Sequence, residues 1–431
     1  MSRSNSVSPS TRAFREELSR YVPAAEAAGV THVVKAGEGS FYTDVDGKRY
    51  LDFSGGIFTN TFGHGDTELA ETFAEAYHSL ANIHGRHWAG EMELYRSLYR
   101  HLPSPDYRVI AYGDGGGYTV DRCEVELYYH FGKRPYRLAT MAGGFHGKTQ
   151  GTKLSVSQTE DAAYFRSFSI PEPNCYRCPC GSHPESCQME CAALAEQLLL
   201  RNGAEALQFE PIIGAAVIVP PAGYWKRLES FCQSRGILMI ADEVLAGGGR
   251  VGSYLASAAF DIVPDGIILT KGLANGLPQS LMLLKKELTE NPFARREGNY
   301  SSTYMGVPAL LALTAKVLEK MEREHILDNV TQRGEQLREG LEKIKDEFPE
   351  ILGDVRGMGL IAAVEVVNDA AGKRPDAVLG RAIFETAEKN GLELIYNGNI
   401  LRIGPPLNVT AEEFGLGLDI LRKSIREALY G

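Results

Sequence analysis

Short apolar runs alternate with amphipathic stretches from about residue 105 to residue 290, and this alternation constrains the fold more than any other feature of the sequence. The runs are predicted as strands at 108–112, 136–141, 215–220, 236–243 and 265–271. Because apolar and polar residues do not alternate within them, both faces of each strand are expected to be buried. The pattern therefore predicts an α/β domain whose mostly parallel sheet is covered by helices on both faces.

The character of the sequence changes near residue 307. The predicted elements beyond it are a long helix at 307–326, a helix with an apolar stripe (Val330, Leu337, Leu341, Ile344 and Phe348), strands at 359–367 and 400–407, and a terminal helix at 411–429. The stripe has helical spacing and is typical of a packed face. This mixture of short strands and helices predicts a smaller α+β unit.

The chain is long enough for two domains, because its 431 residues exceed what one hydrophobic core commonly holds. We predict a large α/β domain over 61–306 and a smaller α+β domain over 307–431. The N-terminal segment 1–60 is expected to join the smaller domain. That domain is thus predicted to be built from both ends of the chain.

The net charge and the hydropathy of the sequence indicate what kind of molecule the protein binds. The formal net charge of -10 does not provide the basic face that nucleic-acid binding needs. No apolar run approaches the length of a membrane-spanning helix, and the first twenty residues lack the apolar core of a secretory signal. The sequence therefore predicts a cytoplasmic protein with a small-molecule partner, without nucleic acid or membrane.

Four chemically distinct groups follow predicted strands. A glycine cluster occupies 113–117, Phe145 and His146 follow the second strand, and Asp242 and Lys271 end two later ones. Because ligands bind at the carboxyl ends of parallel strands, these groups are expected to meet at one edge of the sheet. Taken alone, the glycines fit either a tight turn or an anion-binding helix start. The combination with an aromatic ring, a carboxylate and an amine favours the anion site.

Lys271 and Asp242 together point to one cofactor. A lysine at the end of a buried strand is costly unless it pairs, reaches solvent or reacts, and desolvation makes its amine a nucleophile. Pyridoxal phosphate needs such an amine for a Schiff base, and an acid that keeps its pyridine nitrogen protonated. The spacing of the two residues leaves room for one helix and the next strand. A lysine that simply reaches solvent is the alternative.

The chain resembles the class III aminotransferases of the fold-type I pyridoxal phosphate enzymes over nearly its whole length. The matching segments, in order, are FYTDVDGKRYLDFSGG (41–56), FGHGD (62–66), GFHGKT (144–149), EP (210–211), PPAGYWKRL (220–228), GILMIADEVLAGGGRVGS (236–253), PDGIILTKGLANGLP (264–278), SSTYMGVPA (301–309), VRGMGL (355–360) and LRIGPPLNVT (401–410). Motif order and context make this specific. The resemblance implies the fold-type I architecture, a large domain plus a smaller one, and a transaminase that uses pyridoxal 5'-phosphate.

The resemblance also implies roles, position by position. Lys271 is expected to be the Schiff-base lysine and Asp242 the partner of the pyridine nitrogen. The other expected cofactor contacts are Phe145 and Val244 on the two ring faces, Glu210 beside the ring, Gly115, Gly116 and Gly117 at the phosphate, Thr303 reaching the phosphate from the other subunit of a dimer, and His146. Arg402 is expected to pair with a substrate carboxylate. Gly56 is assigned to the substrate site with it.

Several positions depart from the family pattern. Gly115 stands where serine is usual and Tyr118 where glutamate is usual, so the phosphate turn is expected to rely on backbone N–H groups. Leu245 replaces a glutamine that often bonds the ring hydroxyl. Ala215 or a neighbour stands where members acting on terminal amines often carry a glutamate that neutralises the carboxylate-binding arginine. A free Arg402 favours α-amino acid substrates, as in the dialkylglycine decarboxylase-like branch.

The predicted function is amino transfer between an amino acid and a keto acid or aldehyde, in a homodimer with shared active sites. Other chemistry with the same cofactor, either decarboxylation-dependent transamination or epimerisation, is an alternative. A catalytically silent scaffold is an alternative from another class, since fold does not fix function, although retention of both Lys271 and Asp242 argues against it. A nucleotide-binding protein would leave Lys271 unexplained, and the chain lacks a Walker sequence.

Five of the seven cysteines fall close together: Cys175, Cys178, Cys180, Cys187 and Cys191. The spacing within the pairs suits zinc, but the odd count and the non-standard gap between pairs favour a loop held by local packing. Cys123 and Cys232 lie in predicted helices and are expected to be buried as small apolar residues. We therefore predict no metal site.

Overall fold

The computed structural model describes residues 7–84, 86–156, 164–182, 186–290 and 302–431. The N-terminal elements are α1 (Pro9–Leu18), α2 (Ala24–Gly29), β1 (Val34–Glu38), β2 (Phe41–Asp44), β3 (Arg49–Asp52) and α3 (Gly55–Phe58). The last of these is a single turn whose four residues all have positive φ, so it is left-handed.

The middle of the chain alternates strands and helices as the sequence predicts. Its elements are α4 (Thr67–Ser79), α5 (Glu91–Tyr99), β4 (Tyr107–Tyr112), α6 (Gly116–His130), β5 (Tyr136–Met141), α7 (Gln150–Val156), β6 (Phe165–Ile170), α8 (Glu190–Arg201), β7 (Ala206–Phe209), α9 (Tyr224–Arg235), β8 (Leu238–Asp242), α10 (Ala256–Ala259), β9 (Gly266–Leu269), a 3-10 turn (Lys271–Ala274), β10 (Ser280–Lys285) and α11 (Lys286–Thr289).

The C-terminal part combines long helices with short strands. Its elements are α12 (Pro308–Arg323), α13 (Ile326–Glu347), β11 (Leu352–Met358), β12 (Ile361–Asp369), β13 (Arg374–Pro375), α14 (Ala377–Lys389), β14 (Leu392–Glu393), β15 (Ile395–Asn397), β16 (Ile400–Ile403) and α15 (Ala411–Tyr430). Local signals fix some helix starts: Pro308 begins α12, and Thr410 and Glu413 form a reciprocal capping box before α15.

The central sheet has, within the described residues, the strand order β4-β10-β9-β8-β7-β5-β6. β10 is antiparallel to both of its neighbours, whereas the pairs from β9 to β6 are parallel. Strands β7 and β9 are buried at every position, and for β9 this explains why its sequence is a continuous apolar run rather than an alternating one. The predicted fold class, with a mostly parallel sheet, is confirmed.

One predicted strand is wrong. Residues 215–220 are not a strand: residues 214–217 form a turn, closed by an isolated bridge between Ile213 and Ile218, and the segment is apolar because much of it is packed in the core. The strand between β5 and β8 is instead β7, which ends directly before Glu210. It escaped the sequence reading because it is short and carries a buried polar residue, Gln208, in its middle.

The smaller part of the fold is built from both ends of the chain. β14 pairs in parallel with β3, so the sheet β1-β2-β3-β14 joins N-terminal and C-terminal strands. A second sheet, β11-β12-β16-β15 with β13 at one edge of β12, carries Arg402. The exact domain boundaries at residues 60 and 306 stay predictions. Among the described residues, no helix is both long enough and apolar enough to cross a membrane.

Candidate active site

A cavity of about 340 Å³ opens at the carboxyl ends of the central strands. It is lined by Thr59, Gly115, Gly116, Gly117, Phe145, His146, Gly147, Asp242, Val244, Thr270, Lys271, Gly276, Leu277 and Pro278. The structure thus brings together eight of the residues predicted from the sequence, which follow β4, β5, β8 and β9 in the chain. This convergence follows from the parallel arrangement of those strands.

Helix α6 starts at this cavity. Gly115 is its N-cap residue, and no side chain caps the first turn. The backbone N–H groups of a first helical turn have no partner within the helix and attract anions. A Cβ added to Gly116 would lie 2.9 Å from Thr270 Cγ2 and 3.0 Å from Val244 Cγ2, whereas one on Gly115 would meet nothing within 4 Å. Only the first of these two positions is closed to a side chain.

A buried ion pair forms the floor of the cavity. His146 Nδ1 lies 2.7 Å from Asp242 Oδ2, and the other oxygen of Asp242 accepts a hydrogen bond of 3.1 Å from the Val244 N–H. Burial by itself lowers the pKa of His146, but the hydrogen bond and the charge of Asp242 outweigh it, so the pKa is raised overall. The pair therefore favours a protonated imidazole against an ionised carboxylate.

Lys271 follows β9 after one residue, Thr270, and is partly buried in the cavity wall. Burial lowers the pKa of its amine to about 8, although the charges of Glu210 and Asp242 oppose the shift. Its φ of 52° lies in the left-handed region, which costs a non-glycine residue roughly 1–2 kcal/mol. The structure therefore provides the desolvated amine that the sequence predicts at this position, with a fixed backbone direction.

Glu210 ties two segments of the site together. Its carboxylate accepts hydrogen bonds from the Phe145 N–H at 2.8 Å and from the Gly214 N–H at 2.9 Å. Burial, with the nearby charge of Asp242, raises the pKa of Glu210 to about 7. The ring of Phe145 remains half exposed on the cavity side of this contact. Phe145 and Val244 both line the cavity, as a pair of ring-facing residues would.

Arg402 lies on β16, next to the cavity but not in its lining. Its Nη1 donates a hydrogen bond of 3.0 Å to the carbonyl oxygen of Gly214, and its guanidinium carbon lies 5.9 Å from the ring centre of Phe58. Burial lowers the pKa of Arg402, while the charge of Glu210 acts in the other direction. Gly56 lies in the left-handed turn α3, with φ of 59°.

Thr303 is not part of this chain's own cavity. It is exposed, and its carbonyl oxygen accepts a hydrogen bond of 2.8 Å from Asn82 Nδ2. The neighbouring Ser302 donates to Asp114 Oδ2 at 2.7 Å, which holds this loop against the segment before α6. The position is compatible with the predicted contact to another subunit, which stays a prediction.

Two residues of this region were not predicted from the sequence: Thr270, which lines the cavity, and Arg250, which does not. Thr270 Oγ1 donates to the Gln279 carbonyl at 2.9 Å and packs against Gly116, so it shapes the cavity from below. Arg250 is fully buried beside the site; burial lowers its pKa to about 9, and its ring neighbour is again Phe58, at 5.5 Å. Both residues fall within quoted motifs, but only the tertiary contacts reveal their position.

The chain is similar to known proteins over nearly its whole length. The family model "Aminotransferase class-III" matches residues 23–425. The chain is 32% identical to the adenosylmethionine-8-amino-7-oxononanoate aminotransferase of Geobacter sulfurreducens, with 93% of each chain covered. It is 30% identical to the leucine/methionine racemase of Thermococcus litoralis, with 96% of each covered. A solved amine transaminase from an uncultivated Pseudomonas species, described in its PLP-bound form, superposes with a TM-score of 0.86 at 28% identity, covering 94% of this chain and 97% of that one.

Proposed function

The chain belongs to the class III aminotransferases, and from this membership we propose how its residues divide the work of a pyridoxal phosphate-dependent amino transfer. The enzyme moves an amino group between a small-molecule amino donor and a keto acid or aldehyde acceptor. One observation supports this assignment of roles. A desolvated amine, a buried His–Asp pair and a helix N-terminus share one cavity.

The residues present fit the cofactor. The uncapped start of α6 suits a phosphate, and Gly116 leaves space that a Cβ would fill. His146 Nε2 is buried and has no hydrogen-bond partner among the described residues, so the site still offers a polar contact. When bound, pyridoxal phosphate supplies an electron sink for the charge that develops on the substrate. Gly115, Gly116 and Gly117 would hold its phosphate through backbone N–H groups.

The acid–base work falls to Lys271 and Asp242. The Lys271 amine, with its pKa lowered to about 8, would be the nucleophile that holds the cofactor. The same amine would act as the base that moves a proton at the substrate Cα. Asp242, held by His146, would keep the pyridine nitrogen of the cofactor protonated. Phe145 and Val244 would contact the two faces of the ring, and Glu210 positions the Phe145 backbone.

We assign the substrate carboxylate to Arg402, with Gly56 in the same substrate site. In the part of the chain that the structure describes, no glutamate side chain takes the place of the one that neutralises this arginine in relatives acting on terminal amines. Arg402 instead donates to the backbone carbonyl oxygen of Gly214, and the next residue is Ala215. A neutral carbonyl competes with a carboxylate more weakly than a glutamate does. This supports an α-amino acid as substrate, and the dialkylglycine decarboxylase-like branch as the related chemistry.

Epimerisation is the second candidate, and the similarity to a leucine/methionine racemase favours it. Lys271 would remove the Cα proton on one face, and another group would have to donate a proton to Cα from the opposite face. The two reactions separate in a simple assay. Transamination needs an acceptor and consumes the donor's amino group, whereas epimerisation yields the mirror-image amino acid without any acceptor.

We propose a homodimer that shares its active sites. Apolar side chains are exposed around the cavity, namely Ile57, Phe145, Leu277 and Tyr304, and Thr303 is exposed beside them. A covering partner would bury these groups and bring its Thr303 to the phosphate. We also propose that the protein works in the cytoplasm, where its seven free cysteines stay reduced.

The test is spectroscopic and uses matched lysine variants. The wild type with cofactor is expected to show a visible band that borohydride removes, and Lys271→Ala is expected to lack it. Lys343→Ala, which changes an exposed lysine, serves as the control and should keep the band. A screen of amino donors then identifies the substrate. A wild-type protein that stays colourless with added pyridoxal phosphate would contradict the proposed roles.

A further inference from the structure

The connection between β6 and α8 is long and has no helix or strand among its described residues, 171–182 and 186–189. Loops longer than about 12–15 residues without secondary structure are uncommon in compact domains and usually serve a function. This one contains four of the seven cysteines, and a fifth, Cys191, lies in the first turn of α8. No step of the amino transfer uses any of them.

The structure gathers these cysteines around a second cavity. It has a volume of about 420 Å³ and lies apart from the active-site cavity, since the two share no lining residue. Four thiol-bearing residues line it: Cys175, Cys178, Cys187 and Cys191. They form two pairs, with two residues between the members of the first and three between those of the second. Both intervals fall within the range found between zinc-binding cysteines.

We propose that the thiols lining this cavity bind one Zn²⁺ as four thiolates, those of Cys175, Cys178, Cys187 and Cys191. Four S–H bonds lose their protons to solvent and four Zn–S bonds form, with no transfer of electrons. Thiolates select zinc over hard cations, and a closed set of four is typical of a structural site. The sequence alone favoured simple packing of these cysteines. The structure shows in addition that both pairs line the same cavity.

The sulfurs must draw together when the metal binds. Among the described residues, the group that brings three possible ligand atoms within 4.8 Å of one another is His32, Glu388 and Glu393, not the cysteines. Cys187 Sγ currently donates to Glu190 Oε2 at 3.3 Å, so its side chain has to turn from that contact. Three of the four cysteines lie in the loop, where side-chain and backbone adjustment is least costly.

A bound zinc would stabilise the contact between the loop that joins β6 to α8 and the smaller, C-terminal part of the fold. Within the loop, Arg177 Nε donates to Glu365 Oε1 on β12 at 2.6 Å. Lys373 in turn donates to the Tyr176 carbonyl at 2.8 Å. Glu365 also accepts a hydrogen bond from Arg356. The Nε of Arg356 donates to the Ala216 carbonyl, two residues after Gly214, whose carbonyl oxygen accepts from Arg402. The zinc loop is therefore connected to the predicted substrate side, and its role is structural.

The first test needs no variant. Protein purified from cells grown with zinc is analysed for metal by mass spectrometry, and we expect about one zinc per chain. After chelation under reducing conditions, Co²⁺ is added in steps. A sulfur-to-cobalt charge-transfer band that saturates at about one equivalent is expected. Absence of both the zinc and the band overturns the proposal, as does a thiol titration showing that the wild type holds these cysteines as disulfides.

Variants then locate the metal. Cys178→Ser and Cys187→Ser, one from each pair, are expected to lose the zinc. Cys180→Ser is the near control, because Cys180 lies in the same loop outside the cavity lining, and it should retain the metal. His32→Ala tests the other ligand group and should also retain it. Loss of zinc in His32→Ala alone would refute the assignment. The visible cofactor spectrum shows whether each variant is folded, independently of its metal content.

Discussion

His146 Nδ1 and Asp242 Oδ2 lie 2.7 Å apart, and both side chains are almost completely buried. The carboxylate that the family places at the pyridine nitrogen is thus itself held by the imidazole of His146, whose pKa is raised by this contact. A hydrogen bond to a charged group contributes roughly 1.5–3 kcal/mol, so the ring contact of Asp242 depends on its neighbour. We therefore propose that His146 is a positioning residue, which would act on the reaction through Asp242.

Replacing His146 with Asn keeps a polar side chain but removes the imidazole that contacts Asp242. We expect kcat/KM to fall roughly 10- to 100-fold, the range that corresponds to the lost hydrogen bond. The pH midpoint of the cofactor's visible spectrum is expected to shift as well, because the proton shared with the ring nitrogen is less well held. A fall in activity with an unchanged spectral titration would indicate only a packing defect.

Gly116 and Gly115 form a matched pair of glycines with opposite expectations. In Gly116→Ala the new Cβ would lie 2.9–3.0 Å from the methyl groups of Thr270 and Val244, so the cradle must shift. Overpacking of this kind costs about 1–3 kcal/mol, and we expect at least roughly tenfold weaker binding of pyridoxal phosphate. Gly115→Ala has open space and should bind normally. Fluorescence titration of the apoprotein measures both, and equal affinities would contradict this view of the cradle.

The sequence predicted much of this architecture because the strands that carry the site are buried on both faces. β5, β8 and β9 read as apolar runs, and their carboxyl ends gave Phe145, Asp242 and Lys271 directly. β7 was missed because Gln208 interrupts its short apolar run, and its side chain is buried near Glu124. The apolar turn at 215–220 was taken for a strand instead.

Contacts between residues far apart in the chain could not be predicted from the sequence. The bond from Arg402 to the Gly214 carbonyl and the bond from His146 to Asp242 depend on side-chain positions that no local pattern encodes. The sequence could suggest that Arg402 lacks a glutamate partner, but not that a carbonyl takes its place. In the same way, five cysteines in one stretch gave no indication that four of them face a common cavity.

Arg402→Gln tests the substrate carboxylate. Loss of a charge-assisted contact should raise KM for α-amino acids roughly 10- to 100-fold, whereas amines without a carboxylate should be affected far less. Arg338→Gln, at an exposed arginine, is the control and should leave both classes unchanged. Steady-state assays with paired donors, an amino acid and its decarboxylated analogue, give the comparison. If both donors lost activity equally, Arg402 would be structural.

Glu393 provides a test of stability against pH. Burial raises its pKa to about 7, while the Tyr42 hydroxyl donates to it at 3.0 Å. Since the folded pKa lies above the unfolded one, its contribution is fully present below about pH 4.5 and is lost as the pH rises through 7. Glu393→Gln keeps an acceptor without the charge, so above pH 8 its Tm should exceed that of the wild type by about 2–4 °C. Glu350→Gln, at an exposed position, should show no such difference.

Lys271 gives the most direct pH prediction. Burial lowers the pKa of its amine to about 8 from a usual value of 10.5. Only the neutral amine attacks an aldehyde, so the rate at which the apoprotein reacts with pyridoxal phosphate should rise with pH and level off above about 8 to 9. Stopped-flow absorbance over pH 6 to 10 measures this rate, and Lys271→Ala reports the background from other lysines. A rate that continues to climb to pH 10 would show an amine with an ordinary pKa and would remove the basis for its proposed activation by burial.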